Sequence, residues 1–322
     1  MSEWGAPRGG NGPRDWSVIE RFLHDELDAR RRARRWAWVR RTLWLLILAG
    51  LVFRFAGREA VESASFGPHT AVISIQGEIA ADQPANAASL VEALQAAFDS
   101  KEVAGILLDI NSPGGSPVQA DQVYREIRRL RALHPKVPVH AVIGDMGASG
   151  AYYIAVAADR IYVNPSSLVG SIGVIMPGFG VPALLQKLGV EERTLTAGAH
   201  KNLLSPARAV DPVEREHVQG VLDAVHRQFI QAVKTGRGKR LGQDPDLFSG
   251  YFWSGDQAIG LGLADAVGSV QSVARDVLKQ DNLVDYTLVP NPLDNVLRRL
   301  GSELGLGLRN GLGLAAPAAV LR

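Results

Sequence analysis

From residue 70 onward, apolar runs of strand length alternate with segments of helical period, and this alternation limits the possible folds most sharply. Residues 70–75, 103–110 and 137–143 are short apolar runs. Residues 87–98 and 118–133 lie between them, carry apolar side chains at helical spacing, and are bounded by turn residues. Strands joined through a crossover helix pair in parallel, so the expectation is an α/β body with helices on both faces of a mostly parallel sheet. Downstream, residues 182–188 read as a helix stopped by Gly189, and 190–195 as a strand. Asp211-Pro212-Val213-Glu214 reads as a helix start, with an Asp cap, Pro first and Glu third. That helix is expected to run to about residue 235. Residues 254–259 and 270–278 read as further short helices, and no solenoid period appears.

Charge divides the chain differently. Residues 1–41 hold ten arginines against six acids, whereas the whole chain of 322 residues is formally only +2, so the remainder is slightly acidic. A basic nucleic-acid-binding body is therefore not expected. Residues 42–53 carry no charge and are flanked by Trp36, Trp38, Arg40, Arg41 and Arg54. Snorkelling arginines stretch this run to a spanning segment at about 36–56, and arginines on its N-terminal side match the positive-inside pattern. A buried soluble helix and a cleaved leader are the alternatives, but a 41-residue charged lead is too long for an ordinary signal peptide. The reading is an uncleaved anchor in the inner membrane, with membrane lipid as its partner. Residues 1–35 would then be cytoplasmic, 57–69 a linker, 70–290 an extracytoplasmic body and 291–322 a flexible Gly/Leu-rich tail. A capping box at Ser17–Glu20 opens a short amphipathic pattern within the first segment.

Two serine-bearing strings and one lysine carry the chemistry. Ser149 follows a strand through Asp145-Met146-Gly147-Ala148 and opens a short helix over 149–158, where the helix dipole favours developing negative charge. A serine at such a position is also an ordinary N-cap. Asn111-Ser112-Pro113-Gly114-Gly115 ends another strand, and successive glycines can aim backbone N–H groups into a cleft as an oxyanion hole or serve as a plain turn. Lys201 sits in Gly198-Ala199-His200-Lys201 between weakly polar stretches. It could accept a proton only if burial made it neutral; a solvated surface lysine is the bland alternative. Ser171, in Gly170-Ser171-Ile172-Gly173, could hold the lysine amine. A triad of Ser149, His200 and Asp211 has only sequence order in its favour. No histidine–carboxylate spacing suggests a metal, and no phosphate or dinucleotide loop suggests a cofactor.

Taken together, these strings resemble the signal peptide peptidase A family of serine–lysine proteases across about residues 70–275. Matching pieces are Asn111–Gly115, Ala148–Tyr153, Ala157–Ile161, Val169–Val174 and Thr196–Lys201, although Gly147 and Ala151 stand where the family often has Ala and Gly. The resemblance implies a fold like that of Clp protease and crotonase. It implies Ser149 as nucleophile, Lys201 as general base, Ser171 supporting the lysine, and oxyanion donors from Gly114 or Gly115 with Gly150. It also implies a homo-oligomeric ring outside the membrane, with serine and lysine from neighbouring subunits and peptide substrates such as signal-peptide remnants. A non-catalytic scaffold of the same fold and a crotonase-like acyl-CoA enzyme are the competing functions.

Overall fold

A computed structural model of the chain describes residues 36, 38–48, 50 and 67–288. The chain divides into two units, Met1–Ser65 and Phe66–Arg322. In the first, the described residues are helical and exposed. Among the described residues no helix is long and apolar enough to cross a membrane. The anchor expected at 36–56 runs beyond residue 50 and so lies partly outside the described residues. The segments expected at 1–35 and 291–322, and 57–66 of the linker, lie wholly outside them.

In the second unit the expected alternation appears. Strand β1 (His69–Gln76) leads to α1 (Ala87–Asp99), β2 (Val103–Ser112), α2 (Pro117–Leu133) and β3 (Val139–Ala148). The Asn86 side chain accepts from Ser89 N–H to start α1, and Ser116 caps α2 with Pro117 behind it. Both helices bury residues at three- and four-residue spacing: Leu90, Leu94 and Phe98 on α1, Ala120, Val123, Ile127 and Leu130 on α2. Each fully buried Leu, Ile, Val or Phe side chain among them contributes about 1.5–3 kcal/mol.

The chain continues through α3 (Gly150–Ala155), β4 (Arg160–Val163), β5 (Leu168–Gly170), α4 (Pro182–Lys187) and the long α5 (Pro212–Arg237). It then forms β6 (Phe252–Ser254), α6 (Gly255–Gly260), β7 (Ala266–Val267), α7 (Val270–Ser272) with a π-helical turn after it, and β8 (Leu283–Asp285). The sheet runs β6-β5-β3-β2-β1-β8, and β4 pairs with β3 and β7. All pairings are parallel except β5 with β6. The main core lies on the face carrying Ile73, Ile75, Leu108, Ile110 and Ile143. A smaller cluster of Leu107, Val142, Tyr162, Val273 and Ala274 lies separately.

One expected strand is absent. Residues 190–195 are irregular and exposed, with Leu195 97% exposed. Their apolar side chains have strand propensity but no neighbouring strand to pair with, and propensity without a ladder does not make a strand.

Candidate active site

Buried β3 runs directly into α3, and Ser149 is the residue between them. Its backbone sits at φ 51°, ψ −123°, and its side chain makes no capping hydrogen bond. The hydroxyl is therefore not spent as an N-cap. Its N–H donates to the Gly170 carbonyl at 2.8 Å, and its carbonyl accepts from Tyr153 N–H at 2.9 Å. A non-glycine residue held at positive φ stores on the order of 1–3 kcal/mol and persists only where its surroundings fix it. Here they do. The wholly buried Tyr152 donates its hydroxyl to the Leu263 carbonyl at 2.7 Å. Tyr153 donates to Asp121 Oδ1 at 3.0 Å and packs its ring against Tyr124 and Phe229. Burial pushes both phenols up, so they remain neutral donors.

The Gly114-Gly115 turn abuts this point. A Cβ built on Gly114 would lie 2.6 Å from the Gly150 nitrogen and 2.8 Å from Ser149 Cβ; one built on Gly115 would lie 2.3 Å from the Ile79 carbonyl oxygen. With φ of 93° and 149°, both positions need glycine. The Gly114 N–H already donates to the buried Ser112 Oγ at 3.1 Å. That leaves the Gly115 and Gly150 N–H groups, without partners among the described residues, as the free donors beside Ser149. A Cβ on Gly150 would lie 3.3 Å from the Gly115 nitrogen, so the two amides are neighbours. The Ser149 side opens onto a cavity of about 30 Å³ that Gly115, Tyr153, Val174 and Phe229 help to line.

Ser171 is brought to the same place by sheet register. β5 pairs in parallel with β3, Ala148 opposite Gly170, so Ser149 and Ser171 are the next residues beyond these adjacent strands. Ser171 shares the positive φ, at 50°.

Lys201 is not brought there. It lies exposed in the irregular stretch between α4 and α5, not in the buried surroundings that its flanking residues suggested. Among the described residues no hydrogen bond or ion pair joins its amine to Ser149 or Ser171. The stretch is folded on itself by polar contacts: Glu192 accepts from Asn202 and Ser205, and Arg208 pairs with Glu214 at 2.6 Å. His200 also faces Glu214, at 3.4 Å, and Asp211 caps α5, so neither serves Ser149. Exposed apolar side chains occur in the same stretch of chain, Leu195 at 97% and Leu203 at 39%.

Two positioning roles escaped the reading of the sequence. Asn111 Oδ1 accepts from Met146 N–H at 3.2 Å, and its Nδ2 donates to Asp145, tying the end of β2 to the irregular register before Ser149. Ser112 orders the glycine turn. An Asn-Ser pair before Pro-Gly-Gly is the available signal, since such side chains habitually bond nearby backbone. Among the described residues no cluster of carboxylates and histidines could hold a metal.

The peptidase family S49 model matches residues 131–284. The chain is 45% identical over 188 residues to a protein of Brucella melitensis named Na(+)/H(+) antiporter NhaA, which covers 58% of this chain but only 25% of that one. It is 31% identical over 191 residues to the putative signal peptide peptidase SppA of Enterococcus faecium, covering 59% of this chain and 55% of that one. It is 31% identical over 225 residues to a putative protease of Synechocystis sp., covering 65% of this chain and 79% of that one. The chain thus spans a quarter of the Brucella protein and about half of the Enterococcus one. The stretch that the family model matches carries Ser149 and β5 beside it, and the chain belongs to peptidase family S49.

Proposed function

We propose that the chain is a serine endopeptidase with Ser149 as nucleophile and Lys201 as general base, on a fold of the Clp protease and crotonase kind. The observation that carries this reading is the strained Ser149, its hydroxyl unspent, beside the free Gly115 and Gly150 amides. Neutral Lys201 takes the hydroxyl proton as Ser149 Oγ attacks a peptide carbonyl, and the Gly115 and Gly150 N–H groups receive the oxyanion. The lysine ammonium then gives its proton to the leaving amine, and water hydrolyses the acyl-enzyme.

The lysine is supplied by a neighbouring subunit. A lysine acts as a general base only in its neutral form, which burial favours. The exposed Leu195 and Leu203 in its stretch of chain suit an interface that would provide that burial. Ser171 supports the incoming amine. The substrates are signal-peptide remnants and other membrane-derived segments, and residues 36–56 anchor the chain with its body outside the cytoplasm.

A fluorophosphonate label on the solubilised full chain tests the nucleophile: Ser149→Ala must abolish it, and labelling that survives Ser149→Ala sinks the reading. Mixing Ser149→Ala with Lys201→Ala subunits tests the sharing. Each variant alone is inactive, and mixed assemblies regain part of the cleavage; no recovery in assembled mixtures places both groups in one subunit. A reporter fused after residue 290 reads the side of the membrane.

A further inference from the structure

The stretch between α4 and α5 is irregular, yet one ion pair fixes its shape around Lys201. Glu214, in the first turn of α5, has a side chain only 5% exposed. Its carboxylate accepts from the Arg208 guanidinium at 2.6 and 2.7 Å and from the Leu204 N–H, and His200 Nδ1 faces it at 3.4 Å. Arg208 donates in turn to the Asn202 carbonyl at 2.7 Å. Residues 200, 202 and 204 are thus all held by the pair, while Lys201 and Leu203 between them are exposed. Leu204 sits at φ 55°. A bulky side chain at such a φ is an outlier that persists only where its surroundings impose it. The Arg208 hydrogen bonds outweigh burial and hold the Glu214 carboxyl below its ordinary value, so the pair stays charged.

Helix α5 gives this pair a firm base. Its later turns bury Phe229, Ala232 and Val233. Phe229 packs on Tyr153, whose N–H bonds the Ser149 carbonyl, and His226 Nε2 meets the Ile172 carbonyl at 3.0 Å. Val225 of the same helix lines the cavity at Ser149. From Glu214 to Val225 the helix rises about 17 Å. One helix therefore braces the serine with its later turns and carries the lysine stretch at its start. That separation fits delivery of Lys201 to a neighbouring subunit.

We propose that Glu214 and Arg208 are positioning residues for the peptidase reaction, holding the stretch that carries Lys201 in the shape that presents its amine to the serine. The role rests on Lys201 being the general base. The solubilised full chain carrying Glu214→Ala, Arg208→Ala or Lys201→Ala is assayed on a fluorogenic peptide, with thermal melts and hydrogen exchange read by mass spectrometry. Misplacing a reacting group by about 1 Å costs up to about 10²-fold. Glu214→Ala and Arg208→Ala should therefore lose about tenfold to a hundredfold in kcat, with KM within about twofold of the parent. Exchange should quicken only within residues 192–208. In mixed assemblies Glu214→Ala should behave as Lys201→Ala does: Ser149→Ala subunits restore both or neither, and the two lysine-side variants never restore each other. A parental kcat in Glu214→Ala beside an inactive Lys201→Ala would overturn this proposal alone. So would cleavage regained by mixing Glu214→Ala with Lys201→Ala. Exchange quickened throughout the α/β body would also overturn it, by moving the cause to folding. A parental kcat in Lys201→Ala would sink the lysine as base, and the positioning role with it.

Discussion

Replacing Gly114 by alanine inserts one methyl group between the two halves of the site. On the observed backbone that Cβ lies 2.6 Å from the Gly150 nitrogen, 2.7 Å from the Ala148 carbonyl oxygen and 2.8 Å from Ser149 Cβ. None of these atoms can rotate away, so the turn must withdraw from Ser149 and take the Gly115 amide with it. Loss of one oxyanion donor corresponds to about 2.7–4 kcal/mol, or roughly 10²–10³ in kcat. Alanine at a φ of 93° adds strain of order 1–3 kcal/mol. For a body of this size each kcal/mol lowers Tm by about 2–4 °C, so a fall of roughly 2–12 °C is expected and the protein stays folded at assay temperature. The assay is steady-state cleavage of a fluorogenic peptide, with a calorimetric melt alongside. Falls in kcat and kcat/KM should match, because the donors act on charge that develops only in the transition state. A kcat within about threefold of the parent would refute the placement of the turn against the reacting atom. Inactivity accompanied by a much larger fall in Tm would refute it too, by moving the cause to folding.

Ser149→Gly removes the nucleophile and also the strain of a side chain at φ 51°, so the inactive variant should be more stable by about 1 kcal/mol, read as a rise in Tm. Burial pushes the Asp265 carboxyl up, but hydrogen bonds from Arg237 and the Ile161 N–H, with the charges of Arg237 and Arg240, hold it below its ordinary value. Asp265→Asn uncouples the buried Arg237, 1% exposed, and should destabilise by about 3–5 kcal/mol in denaturant melts near neutral pH. A depressed carboxyl contributes its stability above the ordinary carboxylate pKa of about 3.9 and loses it as pH falls through the folded value, so parent and variant should converge in acid. Burial, with the charges of Arg160 and Arg131, lowers His140 from 6.5 to about 4. The unfolded chain then binds a proton before the folded one does, so stability falls as pH drops through that window; His140→Phe, retaining the edge contact with Tyr162, should flatten the decline in pH-dependent melts.

The sequence by itself determined the long elements and the local chemistry. β1, β2 and β3 and the helices α1, α2 and α5 were legible because each is long enough to show a period and carries its own caps, as Asn86, Ser116 and Asp211 do. The glycine turn and Ser149 were legible as residue types in compact strings, although most of the bonds that hold them reach across the fold, to Ile79 and Gly170. The strands β4 to β8, two to four residues each, were not, because so few residues show no period and exist as strands only through their partners. For the same reason residues 190–195, apolar but unpaired, form no strand. Tertiary structure alone set Ser171 beside Ser149, since that neighbourhood comes from the β3–β5 register across more than twenty residues of chain. It decided that Gly115 and Gly150, and not Gly114, keep free amides, since Ser112 takes the third. It also left Lys201 on the surface. A residue's type is written in the sequence, but its solvation, which decides whether a lysine can be a base, depends on whatever packs against it.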